Sequence, residues 1–264
     1  MERSFENVIV MGKSGAGKQP RIDVLVRVFG LKQLSTGNIF RTYLGRFNDL
    51  GYGQPLDAFY DSGTDAFLPD NRIKEMLGIT SRSDAGDLVL GLKAKYYIDK
   101  GLFVPDPITD ALFESAYKAL GCKGVALDGF PRTVEQAHFL VDLANQVDAR
   151  LDAILLVEND DDAIIKRTMG RRICKTCGEV FHIEFRPPPA SGSHCGNGEC
   201  DIVQRSDDSL EGLKARLNEF QAKTRPAIDY LVETGIPLYT VPGNLPNYSP
   251  EAVEASVLAA INPD

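Results

Sequence analysis

The chain has 264 residues, of which 43% are hydrophobic and 25% are charged, and its formal net charge is −8. This composition is typical of an ordinary globular protein, and the length favours one α/β domain with insertions over two independent domains. The acidic balance argues against non-specific nucleic-acid binding, and no apolar run approaches the ~18 residues of a membrane span. The N-terminus lacks the apolar core of a signal peptide, so we expect a cytoplasmic protein.

A glycine-rich segment follows the first predicted strand, which is the apolar run at residues 8–11. Gly12, Gly15 and Gly17 allow the backbone to turn its N–H groups inward around an anion. Lys18 would then reach the outer phosphates of a nucleotide from the start of the next helix. The spacing Gly-x-x-x-x-Gly-Lys is that of a P-loop, although a turn that is merely rich in glycine can share so short a pattern.

Apolar spacing along the rest of the chain predicts alternating strands and helices. We predict further strands at residues 33–35, 125–127, 153–157 and 238–241. We predict helices at residues 20–29, from 37, 92–100, 108–120, 134–145, 160–169, 207–234 with a bend at Pro226, and from 249. Such alternation indicates an α/β fold in which a parallel five-stranded sheet has helices on both faces.

Ligands of such a fold bind at the C-terminal ends of the strands. The glycine-rich segment, Ser35-Thr36-Gly37 and Asp128-Gly129-Phe130 all lie at predicted strand ends. This convergence favours a phosphate-binding loop over a turn that is merely rich in glycine.

Residues 45–91 have a looser pattern in which Gly, Asp, Ser and Pro are frequent. Large apolar side chains are nevertheless interspersed, at Phe47, Tyr52, Leu56, Phe59, Tyr60, Phe67 and Leu77. These are too many for a disordered linker, so we predict an ordered insertion with a small core of its own rather than a flexible loop.

Four of the five cysteines crowd into residues 174–200, within a separate module that we place at 173–204. In a reducing compartment, cysteines at this density favour metal ligation over two disulfides, whereas the isolated Cys122 is read as a small buried side chain. The spacing is Cys-x2-Cys followed by Cys-x4-Cys.

Six arginines flank the strand ends or the cysteine module, at positions 41, 132, 167, 171, 205 and 216. The planar guanidinium donates two parallel hydrogen bonds, which suits phosphate recognition. One such arginine is commonly a surface charge, but six at these places indicate a phosphorylated ligand.

Taken together, these residues resemble the adenylate kinase family, in its long form with a zinc-type lid. The resemblance covers nearly all of the chain except 45–91. It is carried by residues 12–18, Ser35-Thr36-Gly37, Arg41, Asp128-Gly129-Phe130-Pro131-Arg132-Thr133 with Gln136, Arg167, Gly170-Arg171-Arg172, and Arg205-Ser206-Asp207-Asp208 with Arg216.

The resemblance implies a P-loop nucleoside monophosphate kinase fold and reversible, Mg²⁺-dependent transfer from ATP to AMP, giving two ADP. It assigns catalytic roles to Lys18, Arg132, Arg171, Arg205, Arg216 and Asp128. It assigns ATP binding to Gly12, Gly15, Ala16, Gly17, Lys18, Arg167 and Arg171. It assigns AMP binding to Thr36, Gly37, Arg41, Leu102, Val104, Gly129, Arg132 and Gln136.

The resemblance also implies a structural Zn²⁺ held by Cys174, Cys177, Cys195 and Cys200. The wide spacing of the second cysteine pair leaves the fourth ligand open, with His194 and Asp201 as alternatives. A lid that packs without metal is the remaining alternative.

The implied organisation is a single kinase domain with a core at 1–34, 122–172 and 205–264. An NMP-binding subdomain at 35–121 includes the insertion at 45–91, and the zinc-type lid is 173–204. We expect a monomer that binds ATP, AMP and ADP but neither nucleic acid nor membranes. The insertion could decorate the surface, restrict closure of its subdomain or mediate self-association.

Two departures from the family pattern bear on activity. Gln19-Pro20 replaces Gly-Thr, which removes one backbone N–H and one hydroxyl from the phosphate loop, and Asn38 replaces an aspartate that helps to position Mg²⁺. We therefore expect a kinase that Gln19-Pro20 weakens without necessarily inactivating. The alternative is a catalytically weak or inactive nucleotide-binding regulatory paralogue that keeps the fold.

Overall fold

The computed structural model describes residues 4–184, 186–204, 208–245 and 249–261. The chain divides into two compact units. The first unit comprises Met1–Ile9 with Gly30–Asp152, and the second unit comprises Val10–Phe29 with Ala153–Asp264. None of the helices in the described ranges is both long and apolar enough to cross a membrane.

The described strands are β1 Asn7–Met11, β2 Lys32–Ser35, β3 Tyr60–Asp61, β4 Ala66–Phe67, β5 Val125–Asp128, β6 Ala153–Glu158, β7 Arg171–Cys174, β8 Val180–His182, β9 His194–Cys195, β10 Gly198–Glu199, β11 Ile202–Val203 and β12 Leu238–Pro242. The described α-helices are α1 Lys18–Phe29, α2 Thr36–Asn48, α3 Asp70–Leu77, α4 Ala85–Asp99, α5 Asp106–Ala119, α6 Val134–Gln146, α7 Asp161–Met169, α8 Leu210–Glu219, α9 Arg225–Glu233 and α10 Pro250–Ile261.

Within the described ranges, five strands form a parallel sheet in the order β12-β6-β1-β5-β2, with helices on both faces. β1 is buried along its whole length, and β6 is buried up to its last residue, Glu158, as continuous apolar runs require when both faces of a sheet are covered. In the register of β2 and β5, Ser35 lies opposite Asp128, so these two strands end at the same level. The predicted fold class is confirmed.

The insertion in the first unit is ordered, as predicted. Its core is formed by buried side chains of α2, α3, α4, the 3-10 helix Leu56–Phe59 and the turn after α3, namely Phe47, Phe59, Ile73, Ile79, Ala85, Leu88, Val89 and Leu92. The β3–β4 hairpin adds a second apolar contact, because Tyr60 stacks on Tyr96 with ring centroids 4.6 Å apart.

The prediction for α4 was wrong at its start, since the helix begins at Ala85 rather than at Leu92. Gly91 lies inside the helix, where a Cβ atom would come within 2.4 Å of the carbonyl oxygen of Tyr43. The glycine therefore permits a close approach of α4 to α2 and does not mark a loop. The contact with α2 explains why a glycine stands at this position, and reading Gly91 as a helix boundary was therefore misleading.

The single helix predicted at 207–234 is also corrected. α8 and α9 are separated by a π-helical turn at Phe220–Thr224, directly before the Arg225-Pro226 start of α9. The π-helical turn thus directly precedes Pro226, which cannot donate to a preceding carbonyl and whose ring crowds the previous turn. Residue 207 lies outside the described residues, and Ser209 caps α8 by accepting a hydrogen bond from the Gly212 N–H (3.1 Å).

Candidate active site

The loop between β1 and α1 in the second unit has the conformation that glycine permits. The φ angles of Gly12, Gly15 and Gly17 are 143°, 84° and 98°. A Cβ atom at Gly12 would lie 2.5 Å from the carbonyl oxygen of Val157, and one at Gly15 would lie 2.6 Å from the hydroxyl of Thr168. The loop therefore depends on these glycines, as a loop that wraps its backbone around an anion should.

The lysine that ends this loop is the first residue of α1. Its Nζ donates hydrogen bonds to the carbonyl oxygens of Gly12 (2.8 Å) and Lys13 (3.2 Å). Gln19 is exposed and donates to Asp23 along the helix surface (2.8 Å), so its bulk does not fill the loop. α1 forms although Pro20 is its third residue, since the first N–H groups of a helix have no partner within the helix.

Two of the predicted phosphate-contacting arginines meet on one buried carboxylate, that of Asp208. Its side chain is fully buried. Arg171 forms a two-pronged ion pair with it, in which Nε lies 2.9 Å from Oδ2, and Arg216 approaches Oδ1 to 3.9 Å. Arg216 also donates to the hydroxyl of Ser14 in the glycine-rich loop (3.4 Å). Asp208 therefore gathers both arginines, one of which reaches that loop.

Arg167 and the buried Arg21 contact the segment after β12. The Nη1 of Arg167 donates to the carbonyl oxygen of Gly243 (3.2 Å). A Cβ atom on Gly243 would lie 2.1 Å from the carbonyl oxygen of Ala16. Arg21 donates to the carbonyl oxygens of Gly17 (3.3 Å) and Pro242 (2.5 Å). The segment at 242–243 thus packs directly against the glycine-rich loop. Arg205 lies outside the described residues.

In the first unit, the side chains at the ends of β2 and β5 are joined by hydrogen bonds. The hydroxyl of Thr36 donates to the carbonyl oxygen of Asp128 (3.0 Å), and the amide of Gln33 donates to the Asp128 carboxylate (3.0 Å). On α2, Arg41 donates to the side-chain oxygen of Asn38. A Cβ at Gly37 would lie 3.4 Å from Nη1 of the same arginine, so Gly37 leaves room for it.

The turn after β5 places Arg132 and Gln136 beside this group. Gly129 has a φ of 79°, and a Cβ there would lie 3.0 Å from the Thr36 hydroxyl and 3.2 Å from Arg132 Nη2. Arg132 Nε donates to the carbonyl oxygen of Gly129 (2.9 Å), and its backbone N–H donates to the side-chain oxygen of Gln136 (2.8 Å). Thr36, Asp128, Gly129, Arg132 and Gln136 therefore form one cluster.

Leu102 and Val104 lie in the segment between α4 and α5. Leu102 is exposed and its N–H donates to the carbonyl oxygen of Tyr97 (2.9 Å), whereas Val104 is half-buried. The hydrogen bonds of the described residues do not join either of them to the cluster around Gln136.

Comparisons with known proteins point to one family. The adenylate kinase family model matches residues 81–236. An adenylate kinase from Carboxydothermus hydrogenoformans is 34% identical, over 87% of this chain and 88% of its own length. An adenylate kinase from Desulforamulus reducens is 35% identical over 87% of this chain and 89% of its own length. One from Symbiobacterium thermophilum is 32% identical over 91% of this chain and 92% of its own length.

The chain belongs to the adenylate kinase family. Membership agrees with the predicted nucleoside monophosphate kinase class and favours phosphotransfer over the inactive regulatory alternative. In the part of the chain that the structure describes, the antiparallel sheet β11-β7-β8 and the strand pair β10-β9 lie at the predicted lid, and β7 begins two residues before it.

The lid cysteines are compatible with the structural zinc of the long-form family members. The Sγ atoms of Cys174, Cys177 and Cys195 lie within 4.8 Å of one another. Zn–S bonds of ~2.3 Å in a tetrahedral site put the sulfurs about 3.8 Å apart, so a small contraction would bring these three into ligand positions. Burial raises the pKa of the Cys174 thiol, but hydrogen bonds from Cys177 and Thr176 outweigh it and lower this pKa to about 6. Cys174 thus readily becomes the thiolate that binds metal.

Cys200, His194 and Asp201, the alternatives for a fourth ligand, have different surroundings. Burial and the neighbouring thiols of Cys195 and Cys174 raise the pKa of Cys200 to about 12. His194 is exposed and precedes Cys195 in β9, where successive side chains point to opposite faces. Asp201 is exposed and lies 3.5 Å from Lys175 Nζ.

The sequence analysis missed the roles of Asp208 and Ser14. Asp208 belongs to a motif that carried the family resemblance, but nothing in the motif shows that its carboxylate is buried between two arginines. The sequence signal that was available was a carboxylate next to the arginine-rich end of the lid, since a carboxylate that becomes buried needs a cationic partner.

Proposed function

We propose that this chain catalyses the reversible, Mg²⁺-dependent transfer of the terminal phosphoryl group of ATP to AMP, giving two ADP. The observation that carries the proposal is the convergence of Arg171 and Arg216 on Asp208, with Arg216 also bonded to Ser14 of the phosphate loop. The attacking group is a phosphate oxygen that is already anionic. The site therefore needs charge neutralisation and alignment rather than a general base.

On the donor side, the glycine-rich loop would surround the ATP phosphates with its N–H groups, and Lys18 would contact the transferring phosphoryl group together with the arginines. The loop residues are Gly12, Gly15, Ala16 and Gly17, and the arginines are Arg171, Arg205 and Arg216. Arg167, held at Gly243, would stack on the ATP adenine.

Asp128 is the carboxylate that would orient Mg²⁺ through its bound waters. It fits this role because carboxylate oxygens suit Mg²⁺, and Asp128 lies at a strand end with its orientation fixed by Gln33. Bound with ATP, Mg²⁺ would neutralise phosphate charge. Asn38 offers a neutral oxygen where family members have a second carboxylate, so we expect weaker metal positioning.

On the acceptor side, Arg41 and Arg132 would hold the AMP phosphate, and Thr36 and Gln136 would contact its base. Gly37 and Gly129 leave the space that these side chains need. The backbone of Leu102 and Val104 would line the same pocket.

We further propose the division into a core at 1–34, 122–172 and 205–264, an NMP-binding subdomain at 35–121 and a lid at 173–204. Lid closure would exclude water and so prevent ATP hydrolysis. Cys200 would complete the zinc site with the other three lid cysteines. We propose a cytoplasmic monomer, in which the ordered insertion at 45–91 is the surface through which any self-association would occur.

A coupled assay with ATP, AMP and Mg²⁺ tests the proposed reaction on the zinc-loaded full chain. Lys18→Ala should lower kcat by at least about 100-fold, because a charge-assisted contact to the transferring phosphate is lost. Lys118→Ala is the matched control, since Lys118 is exposed and pairs with Glu114 one turn away. Wild-type turnover no higher than that of Lys18→Ala would contradict the kinase function and favour the regulatory paralogue.

A further inference from the structure

The side-chain amide of Gln136 is held in one orientation by hydrogen bonds to both of its polar atoms. Its Nε2 donates to Oδ1 of Asp106 (2.7 Å), and its Oε1 accepts from the backbone N–H of Arg132 (2.8 Å). A half-turn of the amide would set its oxygen against the carboxylate and its NH₂ against the N–H group. Both hydrogen bonds would then be lost in a residue that is only 4% exposed.

The carboxylate that sets this orientation is itself fixed. Asp106 is the first residue of α5, and its Oδ2 accepts a hydrogen bond from the hydroxyl of Thr133 (2.7 Å). Thr133 is the N-cap of α6 and accepts from the backbone N–H of Gln136 (3.2 Å). Thr133 and Gln136 thus have the spacing of a capping box, and Asp106 joins the start of α5 to that of α6.

Two hydrogen-bonding positions of the Gln136 amide remain for a ligand. A primary amide has two N–H bonds and two oxygen lone pairs, and the partners within the protein use one of each. Because the amide cannot turn, the remaining N–H stays on the Nε2 side and the remaining lone pair on the Oε1 side. Adenine offers an acceptor at N1 beside a donor at N6, whereas a 6-oxopurine offers a donor at N1 beside an acceptor at O6.

We propose that Asp106 is a specificity-determining positioning residue, which fixes the Gln136 amide in the order that accepts a 6-aminopurine and rejects a 6-oxopurine. The inference rests on the proposed contact between Gln136 and the acceptor base. A 6-oxopurine requires the turned amide, whose oxygen then faces the Asp106 carboxylate. Selectivity comes from this penalty against the wrong base as well as from the bonds to the right one.

The test compares AMP with IMP, because these acceptors differ only at C6 and in protonation at N1. Dissociation constants and kcat/KM for both nucleotides are measured for the full-length wild type, Asp106→Ala, Asp106→Asn and Gln136→Ala. Glu135→Gln is the matched control, since it removes an exposed carboxylate from the first turn of α6, the helix that carries Gln136. The ratio of AMP to IMP is the readout, and a partly unfolded preparation leaves this ratio unchanged.

We expect the wild type and Glu135→Gln to prefer AMP, and Asp106→Ala to lower that preference about tenfold, the scale of one hydrogen bond to a charged group. Asp106→Asn should give an intermediate ratio, because its amide can face Gln136 with either an oxygen or an NH₂ group. A wild-type ratio in Asp106→Ala, with the preference lost in Gln136→Ala, overturns the role of Asp106 and leaves that of Gln136 intact. An unchanged ratio in Gln136→Ala overturns both.

Discussion

The two units of this chain organise their polar side chains in different ways. In the second unit, charged groups far apart in sequence converge, as Arg171 and Asp208 do across 37 positions. In the first unit, hydrogen bonds fix the orientation of neutral side chains, such as the bonds that join the Gln136 amide to the Asp106 carboxylate and to the backbone N–H of Arg132. The polar cluster of the second unit is therefore an arrangement of charge and that of the first unit one of orientation, so the two clusters should respond differently to mutation.

The largest effect should follow from breaking the charge cluster at Asp208. Asp208→Ala leaves two cations without their counter-charge, which destabilises a protein by about 3–5 kcal/mol when the charges are buried. Since Arg171 and Arg216 are partly exposed, we expect the lower end of that range, with a kcat at least about 100-fold lower. Denaturant unfolding and the coupled assay measure the two effects.

Asp201→Ala is the control for this change, because Asp201 is an exposed lid carboxylate near Lys175 and such pairs contribute about 0–1 kcal/mol. Asp208→Asn keeps the shape of the side chain and removes its charge. If Asp208→Asn matched the wild type in both stability and kcat, charge convergence could not be the organising feature of the second unit.

The next effect concerns the metal site of the lid. Cys200→Ser should lower the zinc content from about one ion per chain to well below that, because a closed structural site needs four ligands. His194→Ala should retain the metal, since His194 is exposed and lies on the opposite face of β9 from Cys195. Metal analysis of purified protein distinguishes them, and loss of zinc in His194→Ala alone would assign the fourth position to the histidine.

Restoring the phosphate loop should have a smaller effect in the opposite direction. Pro20→Thr returns one backbone N–H and one hydroxyl to the loop, and a hydrogen bond to a charged group is worth about 1.5–3 kcal/mol. If that energy is expressed in the transition state, kcat/KM for ATP rises about tenfold to hundredfold. Gln19→Gly should change little, because Gln19 is exposed and bonded to Asp23. An unchanged kcat/KM in Pro20→Thr would mean that the loop already makes its full set of contacts.

The sequence predicted those features whose cause is local. The glycine-rich loop and the strand ends at Ser35 and Asp128 are each specified by a few neighbouring residues. The partners of Asp208 and Asp106 were not predictable, since Arg171 and Gln136 are 37 and 30 positions away and no periodic pattern links them. The start of α4 was predicted wrongly for the same reason, because Gly91 packs against α2, which is remote in sequence.

The smallest effect should appear as a pH dependence of stability in the first unit. Asp110 lies one turn after Asp106 on α5, and burial, followed by repulsion from Asp106, raises its pKa to about 7. In the unfolded chain an aspartate has a pKa of ~3.9, so between these values the folded state binds more protons. The contribution of Asp110 therefore lowers stability progressively as the pH rises from 4 to 7.

Asp110→Asn removes this titration without changing the shape of the side chain. At pH 8 the variant should be more stable than the wild type by about 1 kcal/mol, a value discounted because the carboxyl group is only half-buried. At pH 4 the difference should vanish, because Asp110 is then protonated in the folded protein. Unfolding free energies at both pH values measure this, with Asp49→Asn as an exposed control. Equal stability at pH 8 would show that Asp110 is well solvated, whereas a difference at pH 8 that vanishes at pH 4 would show that ionising this carboxyl group, against burial and the charge of Asp106, destabilises the folded protein.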